Sequence, residues 1–445
     1  MATSTPSRTG PARGFSRWHW RIMLGGCLVM MGGSIVLSGL SFIHPYVIQE
    51  LFPQRNGAFL WYYTFTLLSI VLSMMLLGRT LFPKLGAKRM MYLGTSLVTV
   101  GMVLFASSTE VWHFYLAGIV LGTGYGLSFH LVPIIWVNNW FVGGKGTAIG
   151  IVMGGTGVGG MLWSLLVPMV SSSAGWRAAM LLAAVIVFVI PVLATWLLMR
   201  DTPQEVGLLP HGFDPALSSP DPASQPGQLY HEALRSPWLW LVYAMVIVMG
   251  MVHAGAQVLA IYLQGTSIYS DPTLPLKMQP PEETAFFSML MIVWTLGLLA
   301  FKPLLGWLND RIGMLVTMLV SLGMQALTFL YLPYMVYGSP AVLMFVAMIF
   351  MAAGMSNGTV QPPLLLSGTV GQRDFGKIWS FFGTAYFIGL ALGTPLWGLV
   401  RDLSGSFLPG FRAAPVLLML VGLLSWWGMK QGHAAYLRRA GQEGR

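Results

Sequence analysis

Charged residues are scarce in this chain, because only 9% of its 445 residues are charged whereas 55% are hydrophobic. A soluble domain carries about 25% charged residues, so this composition excludes a water-soluble surface over most of the molecule. A single cysteine, Cys27, excludes an internal disulfide. The alternation of polar and apolar residues that marks a membrane β-barrel is also missing. The apolar stretches instead have the length that a helix needs to cross a bilayer.

Twelve such stretches predict an all-α polytopic membrane protein. The predicted spans are 22–44, 58–78, 90–107, 112–136, 147–170, 177–199, 238–264, 284–308, 314–333, 340–366, 378–400 and 413–435. The longest polar interval, rich in Pro, Ser and Asp, is typical of a flexible linker. We therefore predict an N-terminal tail (1–21), a six-helix half (22–199), a linker (200–236), a second six-helix half (237–435) and a C-terminal tail (436–445).

Lys and Arg are concentrated in the loops on one side of these spans. This asymmetry predicts that both termini are cytoplasmic and that the protein lies in the cell (inner) membrane. The same asymmetry explains the net charge of +10 without nucleic acid as a partner. The lipid bilayer is the predicted large-scale partner, and the sequence indicates no cofactor and no metal site.

The two halves also resemble each other in sequence. Gly175-Trp176-Arg177 opens the sixth span, and Gly410-Phe411-Arg412 opens the twelfth. The loop Pro83-Lys84-Leu85-Gly86 matches Asp310-Arg311-Ile312-Gly313 at a similar offset. Parallel repeats of this kind place a substrate site near the midplane, between the halves.

Three segments resemble signatures of known transporters. Gly306-Trp307-Leu308-Asn309-Asp310-Arg311-Ile312-Gly313 resembles the loop signature of the major facilitator superfamily. Trp140 to Ile151 resembles the segment that leads into the fifth span of monocarboxylate transporters, with Gly144 at a position that is basic in that family. Asp201 to Pro210 is similar to the segment after span six in bacterial relatives of oxalate–formate antiporters. The resemblance implies a non-enzymatic, monomeric secondary transporter of a small organic anion, by proton symport or exchange with a counter-anion.

Lys302 is the only lysine or arginine well inside a span, eight residues before Asp310 and about 12 Å deeper along a helix. A cation there costs about 2.5–3.5 kcal/mol on insertion scales, so it should face a cavity or a partner. The resemblance places Phe301-Lys302-Pro303 where the family has an arginine that attracts the substrate carboxylate. Leu298 stands where many proton-coupled members have an aspartate. The alternative is a lysine whose amine reaches the cytoplasmic headgroups.

Histidines supply the candidate proton carriers, because imidazole titrates near neutral pH. His253 lies in the seventh span with Gln257 one turn later, and both are predicted to bind substrate. His130 in the fourth span is a second candidate for proton coupling. For both histidines the alternative is a neutral ring whose hydrogen bonds are made by neighbouring helices.

Other polar side chains fall on spans that are expected to line the cavity. The remaining predicted substrate-binding residues are Asn357, Gln361, Tyr125, Tyr386 and Ser38. Each could equally make a helix-packing hydrogen bond, worth about 0.6 kcal/mol in a bilayer. A cytoplasmic charge network that closes the inner side is predicted from Asp310, Arg311, Arg373, Asp374 and Lys377.

Two other functions remain as alternatives to carboxylate transport. A proton-driven exporter of apolar or cationic drugs usually carries an acid within a span, but the predicted spans contain no Asp or Glu. A non-transporting receptor would need larger soluble parts than these short loops. Catalytic motifs such as H-E-x-x-H, a nucleophile elbow or a phosphate loop are not found in the sequence.

Overall fold

The computed structural model describes residues 15–52, 56–213, 227–256, 259, 281–335 and 340–443. Nine helical stretches in these ranges are long and apolar enough to cross a membrane. One of them, Ala58–Ala106, contains two predicted spans, and the helices Arg17–Leu37 and Pro237–His253 account for two more. The described helices are thus consistent with the twelve predicted spans.

We number these passes α1 to α12 in chain order. They are α1 (Arg17–Leu37), α2 (Asn56–Leu72, continued by Ser73–Gly78), α3 (the part of Arg79–Ala106 after Gly86), α4 (Val111–Trp140), α5 (Lys145–Ala174), α6 (Trp176–Leu198), α7 (Pro237–His253), α8 (Pro281–Ile312), α9 (Met314–Tyr331), α10 (Ala341–Val370), α11 (Phe375–Ser404) and α12 (Leu408–Glu443). Short helices such as His44–Leu51 and Tyr230–Leu234 lie between them.

Glycines with positive φ make equivalent turns in the two halves. Gly86 has φ 73° and ψ 174° between α2 and α3, and Gly313 has φ 87° and ψ 160° between α8 and α9. L-residues with a Cβ rarely adopt this conformation, so the two positions favour glycine. The shared geometry agrees with the repeat that the two loop sequences predict.

Within the first half, glycines allow close contact between helix backbones. A Cβ added at Gly118 would lie 2.6 Å from the carbonyl oxygen of Tyr62, on α2. On α5, a Cβ at Gly155 or Gly159 would clash with the backbone of α1, at Cys27 and Met31 respectively. The prediction that these glycine runs permit close helix packing is therefore confirmed.

Two seams join the halves. In the first, α5 packs along α8: a Cβ at Gly150 would lie 2.5 Å from the carbonyl oxygen of Lys302, and one at Gly157 would lie 2.7 Å from the Cα of Leu299. In the second, α11 packs against α2 and α4. A Cβ at Gly383 would lie 3.0 Å from Cε of Met74, and Gly78 faces Ser380 in the same way.

Both described ends of the linker pack on loops at one end of the bundle, which we call the linker face (residues 140–145, 200–213, 227–236, 307–313 and 371–377). His211 donates its N–H to the Trp140 carbonyl 2.8 Å away, and its own carbonyl accepts from Val142 and Gly143. At the other end, the Gln228 N–H donates to the Val370 carbonyl at 2.8 Å. Burial lowers the pKa of His211, which favours its neutral form among these contacts. Residues 214–226 of the linker lie outside the described ranges.

Candidate functional site

Lys302 lies in the seam between α5 and α8, where its side chain is only 6% exposed. Its amine donates a hydrogen bond to the Thr156 hydroxyl, which belongs to the opposite half. Thr156 in turn donates to the Met153 carbonyl of its own helix at 2.9 Å. The two ion pairs found among the described residues involve other side chains, so no carboxylate there neutralises this lysine. The site can therefore offer a buried positive charge to an anion.

Thr156 was not among the predicted site residues. The sequence signal is its position in Gly155-Thr156-Gly157, where it is the one side chain with a hydroxyl between two glycines. Gly157 allows α8 to approach, whereas Gly155 faces α1, and the Thr156 hydroxyl then accepts a hydrogen bond from the lysine on α8. The pairing depends on the register between α5 and α8, which the sequence does not specify.

His253 is buried within the second half and both of its ring nitrogens have partners. Nδ1 lies 3.1 Å from the Tyr386 hydroxyl, and Nε2 lies 3.1 Å from Oε1 of Gln325. Since a carbonyl oxygen only accepts, Nε2 carries the proton and Nδ1 accepts from the tyrosine. Gln325, on α9, was missed by the sequence interpretation. These contacts match the structural alternative for His253, and its role in substrate binding and proton coupling stays a prediction.

His130 has different surroundings, because its contacts reach across the interface between the halves. Its ring stacks on Trp379 of α11, with centroids 5.4 Å apart and planes at 28°. Phe387 packs edge-on against the same ring at 4.7 Å and 82°. Neither Nε2 of His130 nor Nε1 of Trp379 makes a hydrogen bond to any described residue, although both atoms are buried. A buried unsatisfied polar group costs about 1–3 kcal/mol, so these two atoms need partners.

The two predicted tyrosines lie near each other. The ring of Tyr386 packs edge-on against Phe387, with centroids 6.2 Å apart. Tyr125 also packs edge-on against Phe387 at 6.3 Å. The Tyr386 hydroxyl is hydrogen-bonded to His253, as described above. The structure therefore brings tyrosines of both halves together at the second seam.

Two of the predicted ligands make local hydrogen bonds, and their role in substrate binding stays a prediction. Asn357 donates through Nδ2 to the Ser321 hydroxyl at 2.8 Å and to the Gly354 carbonyl at 2.9 Å. Ser38 donates to the carbonyl of Ser34 in the preceding turn at 2.8 Å. These contacts hold α10 against α9 and end α1, as the packing alternative expects.

Gln361 and Gln257 have different outcomes. Gln361 is fully buried, and neither amide atom finds a hydrogen-bond partner in the described ranges. Its role as a ligand stays a prediction with that observation in its favour. Gln257 lies outside the described residues.

Asp310 binds the first turn of α5 across the seam. Its Oδ1 accepts from the Gly146 N–H at 2.9 Å, and its Oδ2 accepts from the Thr147 N–H and hydroxyl, both at 2.7 Å. Backbone N–H groups at a helix start are unpaired within the helix and favour an anion. This arrangement joins the two halves at the linker face.

The residues of the predicted charge network make separate contacts among the described residues, and their joint role as a gate stays a prediction. Asp374 pairs with Lys377 at 3.5 Å and accepts the Tyr230 N–H at 2.9 Å. Neither contact involves Asp310. Arg311 lies 5.2 Å from the centre of the Trp307 ring. Two backbone N–H groups and the Thr147 hydroxyl, rather than arginines, are the partners of Asp310 among the described residues, because the close approach of α5 and α8 brings the helix start within its reach.

Arg373 lines a cavity of about 270 Å³ on the linker face. Residues of both halves and of the linker contribute to its wall, among them Asn139, Thr202 and Lys377. Neither Lys302 nor His253 lines it, so it is separate from the predicted central site.

A bundle of apolar helices long enough to cross a membrane, with a buried cation in the seam between α5 and α8, defines a class: polytopic membrane transporters of small solutes. The sequence profile of the Major Facilitator Superfamily matches residues 22–276. This chain belongs to the major facilitator superfamily, and it is a multi-pass membrane transporter rather than an enzyme.

Relatives among known proteins include animal and fungal transporters. Monocarboxylate transporter 13 of Bos taurus is 25% identical over 350 residues, which cover 77% of this chain and 74% of that protein. Monocarboxylate transporter 12 of Homo sapiens is 24% identical over 416 residues, 88% of this chain and 77% of that protein. The MFS-type transporter pynF of Aspergillus niger is 23% identical over 168 residues, so the match spans only 37% of this chain and 38% of that protein.

Solved structures show the same fold. The proton:xylose symporter XylE, bound to 6-bromo-6-deoxy-D-glucose, has a TM-score of 0.72 at 13% identity and covers 94% of this chain and 99% of its own. The Escherichia coli fucose:proton symporter FucP has a TM-score of 0.62 at 15% identity, with 93% and 99% coverage. At these identities the likeness establishes the fold alone.

Proposed function

We propose that this transporter moves a small monocarboxylate across the membrane by alternating access. The buried amine of Lys302, which no described carboxylate neutralises, carries this proposal. A single buried cation is balanced by a monoanion, whereas a dianion would leave an uncompensated charge in a medium of low dielectric. The similarity to monocarboxylate transporters over most of the chain supports the same substrate class.

Lys302 is placed where a bound anion would change the contact between the halves. Its amine belongs to the second half and its hydrogen-bond partner Thr156 to the first. A carboxylate is a stronger partner for an ammonium than a hydroxyl is. Substrate would therefore compete with Thr156, and its binding would alter an inter-half contact. Such a difference in contacts is what a ligand needs in order to shift a conformational equilibrium.

The coupling mode depends on the absence of acidic residues from the predicted spans. The predicted spans contain no Asp or Glu that could exchange a proton with Lys302. Exchange of one anion for another at Lys302 needs no proton carrier, whereas proton symport would use a histidine such as His130 or His253.

The distribution of Lys and Arg supports an orientation in the inner membrane with the linker face cytoplasmic.

Uptake into proteoliposomes tests the proposal. Labelled lactate, pyruvate and formate are supplied to wild type, Lys302→Ala and Lys302→Arg. Loss of a charged hydrogen-bond donor costs about 1.5–3 kcal/mol, so we expect Lys302→Ala to reduce carboxylate uptake at low substrate at least about tenfold. Lys302→Arg keeps the charge and should retain part of the activity.

The matched control is Lys84→Ala, which removes an exposed lysine from the helical segment just before Gly86. Thermal unfolding of each purified variant shows whether it is folded. Wild-type uptake of every carboxylate by folded Lys302→Ala would rule out this charge assignment. A chloride-loaded and a carboxylate-loaded interior, each with and without a pH gradient, separate exchange from proton symport.

A further inference from the structure

Three irregular helix segments from the two halves meet at the second seam. In α2 the helix widens into a π-turn at Ser73–Gly78, and in α4 it does so at Gly126–His130. In α11 the helix is interrupted between Phe382 and Ala385. Single π-turns and discontinuous membrane helices are frequent at functional sites. Three such segments in contact therefore indicate a candidate functional site.

Direct contacts show that these segments touch. A Cβ added at Gly126 would lie 2.6 Å from the Ser73 hydroxyl oxygen. One added at Gly383, in the α11 interruption, would lie 3.0 Å from Met74 in the α2 π-turn. His130 ends the α4 π-turn and stacks on Trp379, one turn before the α11 interruption. The π-turn therefore directs the histidine toward the interruption in the opposite half.

The polar atoms at this junction are buried and unpartnered. His130 is 8% exposed and Trp379 is 1% exposed. Nε2 of the histidine and Nε1 of the tryptophan have no hydrogen-bond partner among the described side chains and backbone. Some other buried indoles do have one: Trp397, also on α11, donates to the Met251 carbonyl at 3.0 Å. Trp379 differs from Trp397 in this respect, and Nε1 of Trp294 on α8 is likewise without a partner among the described residues.

The junction lies at about the same depth as Lys302. His130 precedes Trp140, at the linker-face end of α4, by ten residues, or about 15 Å along a helix. Lys302 precedes Asp310 by eight residues, or about 12 Å. A cation in one seam and two unpaired ring nitrogens in the other are thus available at a similar level of the membrane.

The walls around the pair are aromatic. Phe387 is edge-on to His130 at 4.7 Å, and Phe375 lies parallel to Trp379 at 6.2 Å. Edge-on and offset-stacked contacts are the favourable arrangements for aromatic rings. A solute with an aromatic ring would fit such walls, and the indole N–H requires that it also carry a hydrogen-bond acceptor.

We propose that His130 and Trp379 form a second binding point of the transport site, which takes the hydroxylated ring of an aromatic monocarboxylate. The indole Nε1–H donates to the ring hydroxyl, and the hydroxyl proton is available to Nε2 of His130 when that nitrogen is unprotonated. The inference rests on the proposed function, since Lys302 is the partner of the carboxylate at the other end of the solute.

Matched ligands and variants of the full-length protein test this. Binding of acetate, phenylacetate and 4-hydroxyphenylacetate is measured by calorimetry on purified wild type. One hydrogen bond to the hydroxyl should make 4-hydroxyphenylacetate bind about three- to tenfold more tightly than phenylacetate. Trp379→Phe keeps the ring and removes the N–H, so it should abolish that preference. Trp397→Phe removes a structural indole N–H and should preserve it.

His130→Phe provides a second variant should Trp379→Phe fail to fold, and it should also reduce the preference. No preference in wild type, or an unchanged preference in either folded variant, would overturn this inference. Acetate binding that depends on Lys302 would in that case leave the proposed function standing. If none of the three carboxylates binds, the proposed function fails together with the inference.

Discussion

His130 and His253 illustrate how surroundings decide what a buried histidine can do. The ring of His253 has both nitrogens engaged, by Tyr386 and Gln325, and all three residues belong to one half. The ring of His130 contacts the opposite half and keeps one nitrogen unpartnered among the described residues. A change at His253 acts first on packing within a half, whereas one at His130 acts on a contact that must rearrange when the halves move.

Residue chemistry was predictable to different extents. A lysine inside an apolar span must be buried or reach a headgroup, so Lys302 could be singled out from sequence. Its contact with Thr156, however, depends on the register of two helices that are 146 residues apart in the chain. Asn357 was predicted to bind a ligand; its side chain donates to Ser321 on α9, and its role as a ligand stays a prediction. Spacing indicates which helix face a residue occupies, but it does not identify the neighbouring helix.

Asp310→Asn should open the linker-face end of the seam between α5 and α8. The amide cannot replace a carboxylate that accepts from Gly146 and Thr147 together. Hydrogen bonds to charged groups are worth about 1.5–3 kcal/mol, so we expect hydrogen–deuterium exchange at these two amides to accelerate at least about tenfold. Peptide-level mass spectrometry over residues 142–148 measures it.

Asp201→Asn is the control for that experiment. Asp201 accepts the Lys88 N–H at 3.2 Å and the Trp136 indole N–H at 3.0 Å, and all three residues lie on the first-half side of the linker face. Exchange should therefore increase at Lys88 and remain unchanged at Gly146 and Thr147. An unchanged rate at Gly146 and Thr147 in Asp310→Asn would show that this carboxylate does not hold the seam closed.

At the scale of helices, α5 packs closely on two sides. Gly155 and Gly159 contact α1, whereas Gly150 and Gly157 contact α8 in the opposite half. The same helix therefore belongs to the fixed core of one half and to the moving interface with the other. The glycine spacing predicted close packing. It could not indicate that α1 and α8 contact two different faces of α5.

Gly150→Ala should destabilise the protein and impair transport. The added Cβ would lie 2.5 Å from the Lys302 carbonyl oxygen and 2.9 Å from the Pro303 Cα, where only backbone movement can relieve the clash. Overpacking of this kind costs about 1–3 kcal/mol. Thermal unfolding and initial uptake rates are the measurements.

Gly160→Ala is the matched control on the same face of α5. Its Cβ would lie 3.5 Å from Cγ2 of Thr295, which is ordinary van der Waals contact. We expect its unfolding temperature and uptake rate to remain close to those of wild type. Equal unfolding temperatures and uptake rates for Gly150→Ala and Gly160→Ala would contradict the conclusion that α5 and α8 are in tighter contact at Gly150 than at Gly160.

For the whole molecule, the halves are joined by contacts as well as by the chain. The α5–α8 seam, the α11 contacts with α2 and α4, and the Asp310 bonds all cross the interface. Composition and span counting predicted two halves and a linker, and that division stays a prediction. They could not predict that both described ends of the linker pair with loop backbones, as His211 does with Trp140 and Gln228 with Val370.

Cleavage of the linker should leave the halves associated. A protease site inserted within residues 214–226 separates the chain between the two docked ends. Because the seams do not depend on that peptide connection, we expect both fragments to elute together in size-exclusion chromatography and to retain uptake. Separation of the fragments would show that the covalent linker, rather than the interface, holds the halves together.

The close approach of α5 to α8 also bears on how the gene can vary. Every change at the first or second base of a glycine codon introduces a side chain or a stop. At Gly150 and Gly157 even the smallest side chain would meet the backbone of the opposite half. Random mutagenesis with selection for uptake should therefore recover few replacements there, while neighbouring positions such as Ile151 and Val158, which are not fully buried, accept many.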